Sequence, residues 1–119
     1  MTTTILVVED EEPVQQLVAD LLTEEGYQVV VAGDGAQALA LMQGELPDLV
    51  ITDLMMPVMS GVELCQRLRG DAQTRGLPIL VISAASNGLA ADCAANGFLP
   101  KPFDLDALLA LVQQHVGPA

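Results

Sequence analysis

At 119 residues the chain has the length of one compact domain, and with 51% apolar residues it can bury a core rather than stay disordered. Its 16 acidic residues against 4 basic ones leave a formal charge of −12, which argues against a surface for nucleic-acid phosphates and against adhesion to anionic membrane. Aromatics are limited to Tyr27, Phe98 and Phe103, so the core must be built from Val, Leu, Ile, Ala and Met.

The first apolar run, "TILVVED" at 4–10, is continuous rather than alternating, as suits a strand covered on both faces. Its end carries Glu9 and Asp10. A helix follows, with Val14, Leu17, Val18, Leu21 and Leu22 at i, i+3, i+4, i+7 and i+8. Pro13 fits its first turn, Glu11 and Glu12 favour its positive end, and Gly26 suits its stop. "QVVVA" at 28–32 reads as a second strand, and a helix from Asp34 carries Ala38, Leu39 and Met42. "DLVITD" at 48–53 reads as a third strand ending in Asp53, after which Ser60 and Glu63 form a capping box for a third helix. Arg67, Arg69 and Arg75 cluster near that helix and read as a solvated face.

"LPILVIS" at 77–83 gives a fourth strand ending in Ser83. Only 86–95 then remains for a fourth helix, which must be short, with Asn87 and Gly88 in the loop before it. "GFLP" at 97–100 is a weaker fifth strand leading into Lys101, the one lysine in the chain. A last helix from Asp104 aligns Leu105, Leu108, Leu109 and Val112. Cys65 and Cys93 form no CxxC pair and read as free, small hydrophobes. The start is not basic, and no apolar run reaches the ~18 residues of a membrane span, so a reducing, cytoplasmic compartment is expected.

Five βα repeats over 1–119 predict a single α/β domain with an open parallel sheet and helices on both faces. Ligands of such sheets bind beyond the carboxyl ends of the strands. Those ends present Glu9, Asp10, Asp53, Ser83 and, after the fifth strand, Lys101. Each has a plain alternative: helix charge for the acidic pair, a turn cap for Asp53, a backbone bond for Ser83, solvation for Lys101. Their shared edge outweighs these. Three carboxylates held together raise a pKa or bind a cation, and all-oxygen ligation with few protein ligands suits Mg²⁺. With a lysine and a hydroxyl for the remaining oxygens, the set suits phosphoryl transfer to a carboxylate.

These motifs ("LVVEDE", "ITDLMMPVMSG", "VISA" and "FLPKPF") resemble those of response regulator receiver domains, the CheY-like superfamily of two-component signalling, over essentially the whole chain. The resemblance implies a flavodoxin-like (βα)5 fold with strand order 2-1-3-4-5. It implies that Asp53 accepts a phosphoryl group from a sensor histidine kinase or a histidine phosphotransfer protein. By the same resemblance Mg²⁺ is bound by Asp10, Asp53 and the Met55 backbone carbonyl, with Glu9 acting through water. Lys101 pairs with the phosphoryl oxygens, Ser83 moves to bond one of them, and Phe98 turns inward. The Lys101–Pro102 peptide is cis in the family. Output to a downstream effector, and any homodimer, would use the face of the fourth helix, fifth strand and fifth helix. Such a domain is a switch rather than an enzyme, catalysing only its own phosphorylation and dephosphorylation. Met55 and Ala85 flank the route of attacking water, which implies slow hydrolysis.

One departure stands out: the stretch from Ser83 to Lys101 is shorter than the family norm by roughly one helical turn. It touches the usual output surface, so partner recognition is the property least carried over. Three other readings are weaker. A degenerate receiver would act as a phosphorylation-independent interaction module. A phosphohydrolase of the haloacid-dehalogenase type wants an aspartate where Met55 stands. A flavodoxin-like cofactor binder wants a phosphate-binding loop where "EDEEP" would repel phosphate.

Overall fold

Thr4–Val8 (β1) is paired on both sides, with Gln28–Ala32 (β2) and with Leu49–Thr52 (β3), in a computed structural model that describes residues 2–84 and 93–119. Ile79–Ser83 (β4) and Gly97–Pro100 (β5) complete a parallel sheet of order β2-β1-β3-β4-β5. Four helices lie among the described residues: Glu12–Glu24 (α1), Gly35–Met42 (α2), Gly61–Gly70 (α3) and Leu105–Val116 (α4), the last being the final helix expected from Asp104. Of the expected short helix at 86–95, residues 86–92, with Asn87 and Gly88, lie outside the described residues, and 93–95 are not helical.

Successive strand residues point to opposite faces, so the continuous Val/Ile/Leu runs feed two cores at once. Leu6, Val8, Val50 and Val81 meet Ala38, Met42, Leu64 and Leu68 from α2 and α3. Ile5, Val7, Ile51 and Ile82 meet Val18 and Leu22 of α1 and Leu108 and Val112 of α4. Each fully buried Leu or Ile contributes about 1.5–3 kcal/mol against exposure, and central strands of this composition are therefore held on both sides.

The helix ends follow local chemistry. Asp34 accepts from the Gln37 N–H at 2.9 Å and Ser60 from the Glu63 N–H at 3.2 Å, each satisfying an orphan donor of a first turn. The capping box at Ser60 is only half formed, because the Glu63 carboxylate is turned to Arg67 at 3.2 Å. Gly26 ends the α1 turn at φ +99°, a conformation that costs other residues dearly. At Gly61 a Cβ would run into the Asp53 carbonyl oxygen, so only glycine lets α3 start against that backbone.

Three expectations need correction. Leu17, placed on the buried stripe of α1, is 48% exposed, because the helix covers the sheet edge through Val18 and Leu22. Cys65 and Cys93 are not free: they are disulfide-bonded, with Cα atoms 5.2 Å apart. Arg69 is no solvated charge. Its guanidinium donates to the carbonyls of Leu77 (2.6 Å), Arg75 (3.0 Å) and Ala94 (3.0 Å) and to Asn96 Oδ1 (2.8 Å). Burial lowers its pKa.

Candidate functional site: an acidic pocket closed by Lys101

The sheet ladder runs one residue past its strands and so fixes the site. Glu9 N–H donates to Ala32 O at 3.0 Å, Asp53 N–H to Val8 O at 3.1 Å, and Lys101 N–H to Ser83 O at 3.0 Å. Val8 is in register with Thr52, which puts Glu9 and Asp53 next to one another at the carboxyl edge. One ligand oxygen from each of Glu9, Asp10 and Asp53 lies within 4.8 Å of the others. Glu9 and Asp53 are buried, whereas Asp10 is exposed at the mouth.

Lys101 reaches into this group. Its Nζ stands 2.7 Å from Asp53 Oδ2, 2.7 Å from Glu9 Oε1 and 3.1 Å from Glu11 Oε1. The side chain is only 14% exposed, far from the solvated alternative. The peptide bond to Pro102 is cis. Burial pulls the Lys101 pKa down, but the bonds to Asp53, Glu9 and Glu11 outweigh it and raise the pKa above the usual lysine value. Burial also raises Glu9, with Lys101 and the Glu11 N–H holding it back in part.

The remaining expected residues surround the pocket. Met55 N–H donates to Asp53 Oδ1 at 3.1 Å, while the Met55 side chain is 64% exposed. Ser83 is buried at the end of β4, and Phe98, half-buried on β5, packs against the core cluster of α2 and α3. Ala85 lies outside the described residues. Sequence reasoning missed Glu11, which it took only as helix charge. Its side chain makes no cap bond for α1 and is spent on Lys101 instead. The third acid in "EDEE" was the available signal.

The donor set fits a hard divalent cation. It is all oxygen, anionic and clustered, and the buried Glu9 Oε1 has the Lys101 ammonium at 2.7 Å as its ion-pair partner. Such a set could hold Mg²⁺ with water completing the shell.

Comparison with known proteins agrees with this geometry. The family described as "Response regulator receiver domain" matches residues 5–113. The response regulator MprA of Mycobacterium tuberculosis is 41% identical over 116 residues, which cover 92% of this chain and 49% of that protein. The chain thus spans about half the length of the curated relatives it matches. Among solved structures, the chemotaxis response regulator CheY4 of Vibrio cholerae superposes with a TM-score of 0.89 at 33% identity, covering 96% of this chain and 98% of that one. The response regulator TrrA of Thermotoga maritima, solved in complex with Mg(2+)-BeF, gives a TM-score of 0.85 at 32% identity, with 95% and 98% covered. The chain therefore belongs to the response regulator receiver domain family of two-component signalling.

Proposed function

We propose that residues 1–119 act as one phospho-accepting receiver in which Asp53 takes a phosphoryl group from a histidine kinase or a histidine phosphotransfer protein. The observation that carries the reading is the placement of Lys101 Nζ 2.7 Å from Asp53 Oδ2 with Glu9 and Asp10 alongside. An Asp53 carboxylate oxygen attacks phosphorus, the P–N bond to the donor imidazole breaks, and its electron pair stays on nitrogen. Asp10, Asp53 and the Met55 carbonyl would hold Mg²⁺, with Glu9 acting through water. When bound, the ion neutralises charge on the transferring oxygens. Lys101, already pointing at Asp53, exchanges carboxylate partners for a phosphoryl oxygen.

The modification adds charge and strong acceptors at one edge. Ser83, at the end of β4, turns to bond one of the new oxygens. Phe98 then moves inward, carrying the change to the face of β5 and α4, where an effector or a second copy would bind. Phe98 lacks a hydroxyl, so the signal is carried by packing. A cytoplasmic location accompanies this role; no helix among the described residues is long and apolar enough to cross a membrane.

Intact-mass measurement after incubation with acetyl phosphate and Mg²⁺ tests the reading. Wild-type protein should gain one phosphoryl mass, and chelation of Mg²⁺ or the Asp53→Asn change should abolish the gain. No gain in wild type, or an equal gain in the variant, sinks it.

A further inference from the structure

We propose that Cys65 and Cys93 are a reversible redox tie that, when closed, holds the chain entering β5 against α3 and restrains Phe98. The two cysteines are the only ones in the chain, they come from positions 28 residues apart, and their Cα atoms stand 5.2 Å apart. That spacing lies inside the range for a disulfide, about 4.4–6.8 Å. Both side chains are buried, and both belong to the core cluster against which Phe98 packs.

The tie does not act alone. One turn along α3 from Cys65, Arg69 binds the Ala94 carbonyl and Asn96 Oδ1, just after Cys93. Asn96 Oδ1 also accepts from the Ile79 N–H at 2.8 Å. Sulfur and guanidinium therefore fasten the same short lead-in to α3, directly before the strand carrying Phe98. Opening the sulfur tie leaves the arginine in place. The reduced thiols still fill the core as small hydrophobes, so the domain folds in both states. What changes is the freedom of the cluster that Phe98 must repack.

The chemistry needs a low-molecular-weight disulfide such as oxidised glutathione. One cysteine thiolate attacks it, releasing one small thiol and leaving a mixed disulfide on the protein. The second cysteine thiolate attacks that bond, closes Cys65–Cys93 and releases the second small thiol. Two protein thiols are oxidised, one small disulfide is reduced to two thiols, and the protons lost by the cysteines pass to the leaving thiolates. Burial of both sulfurs makes exchange slow, which fits a response to sustained rather than momentary redox conditions.

The coupling rests on the phospho-acceptor reading of Asp53, whereas formation of the tie does not. Wild-type protein labelled with fluorophenylalanine, which reports on Phe98 and Phe103, is equilibrated in reduced and in oxidised glutathione. Alkylation after acid quench and unfolding should add two groups to the reduced sample and none to the oxidised one. The melting temperature should fall by roughly 10 °C on reduction, as expected for opening a loop of this length. With acetyl phosphate and Mg²⁺, the Phe98 fluorine resonance should shift further in the reduced form. The double variant Cys65→Ala/Cys93→Ala should respond like the reduced form in both buffers; if it does not fold, the two wild-type samples decide.

Two alkylated thiols in oxidised glutathione, or a bond that opens only on unfolding, overturns the reversible tie. Equal Phe98 shifts in both redox states, with phosphoryl mass gained in both, overturn the coupling alone. Absence of phosphoryl mass in both states overturns the acceptor reading and the coupling with it, while the alkylation result still decides the tie.

Discussion

Lys101 and Arg69 are cations held by several oxygen acceptors each, at opposite ends of the sheet, and they meet different kinds of partner. Lys101 stands among three carboxylates at the carboxyl edge, whereas Arg69 at the amino edge is met by backbone carbonyls and one side-chain amide oxygen. An ammonium is a compact point charge that can trade one oxygen for another without changing its place. A guanidinium is a rigid fork, suited to holding several fixed acceptors at once. The pocket end is thus built from charges that can be rearranged, and the far end from dipoles that cannot. Partner chemistry, more than the shared positive sign, separates a working end from a structural one.

The largest expected effect lies at the far end. Arg69→Ala removes four acceptor contacts and leaves the half-buried Leu77 carbonyl short of a donor. A loss of about 3 kcal/mol is expected in urea unfolding. Arg69→Lys should recover little of it, since a point charge cannot span the same acceptors. A loss below about 1 kcal/mol for the alanine variant would break the comparison, because Arg69 would then be an ordinary surface group.

Next comes Lys101→Met, which keeps the length of the side chain and deletes the charge. Glu9 and Asp53 are then left to repel one another in a largely buried pocket, and the variant should lose about 2 kcal/mol near neutral pH. Millimolar Mg²⁺ should restore melting temperature more strongly in the variant than in wild type, because a dication replaces the missing cation. An equal Mg²⁺ response in the two proteins would show that Lys101 and the ion do not share the pocket.

The smallest effect sharpens the picture of the fixed end. Tyr27 is buried at the start of β2, and its hydroxyl donates to the Gly117 carbonyl at 2.6 Å. Burial and the neighbouring Glu25 raise its pKa above the ordinary value of 10.0. A raised value means that the folded state holds the phenol proton more tightly than the unfolded chain. This contribution is complete below about pH 10 and is lost as pH rises through the folded-state value. Tyr27→Phe should therefore cost about 1 kcal/mol at neutral pH and flatten the alkaline limb of the stability profile. Identical alkaline limbs for wild type and variant would remove Tyr27 from that account.

Much of this was legible in the sequence because local rules and tertiary demands agree. Unbroken Val, Leu and Ile runs suit strands covered on both faces, as β1, β3 and β4 are, and each expected strand is found within two residues of its observed bounds. The meeting of Glu9, Asp10, Asp53 and Lys101 followed from where strands end in such a sheet. The misreadings arose where distant segments return. Nothing near Arg69 announces that 94–96 will supply its acceptors, and Cys65 and Cys93 meet across a separation of 28 residues. Glu11 was taken for helix charge because its neighbours suit a helix start so well, while its true partner lies 90 residues away.

Gly61 gives the pocket a mechanical property. Because the first residue of α3 rests directly on the Asp53 carbonyl, with no side chain between them, that wall has no slack. Asp53 is therefore walled by backbone on the α3 side, while Lys101 reaches it from β5. One missing methyl group thus lets the backbone of α3 close directly on the backbone of the candidate acceptor.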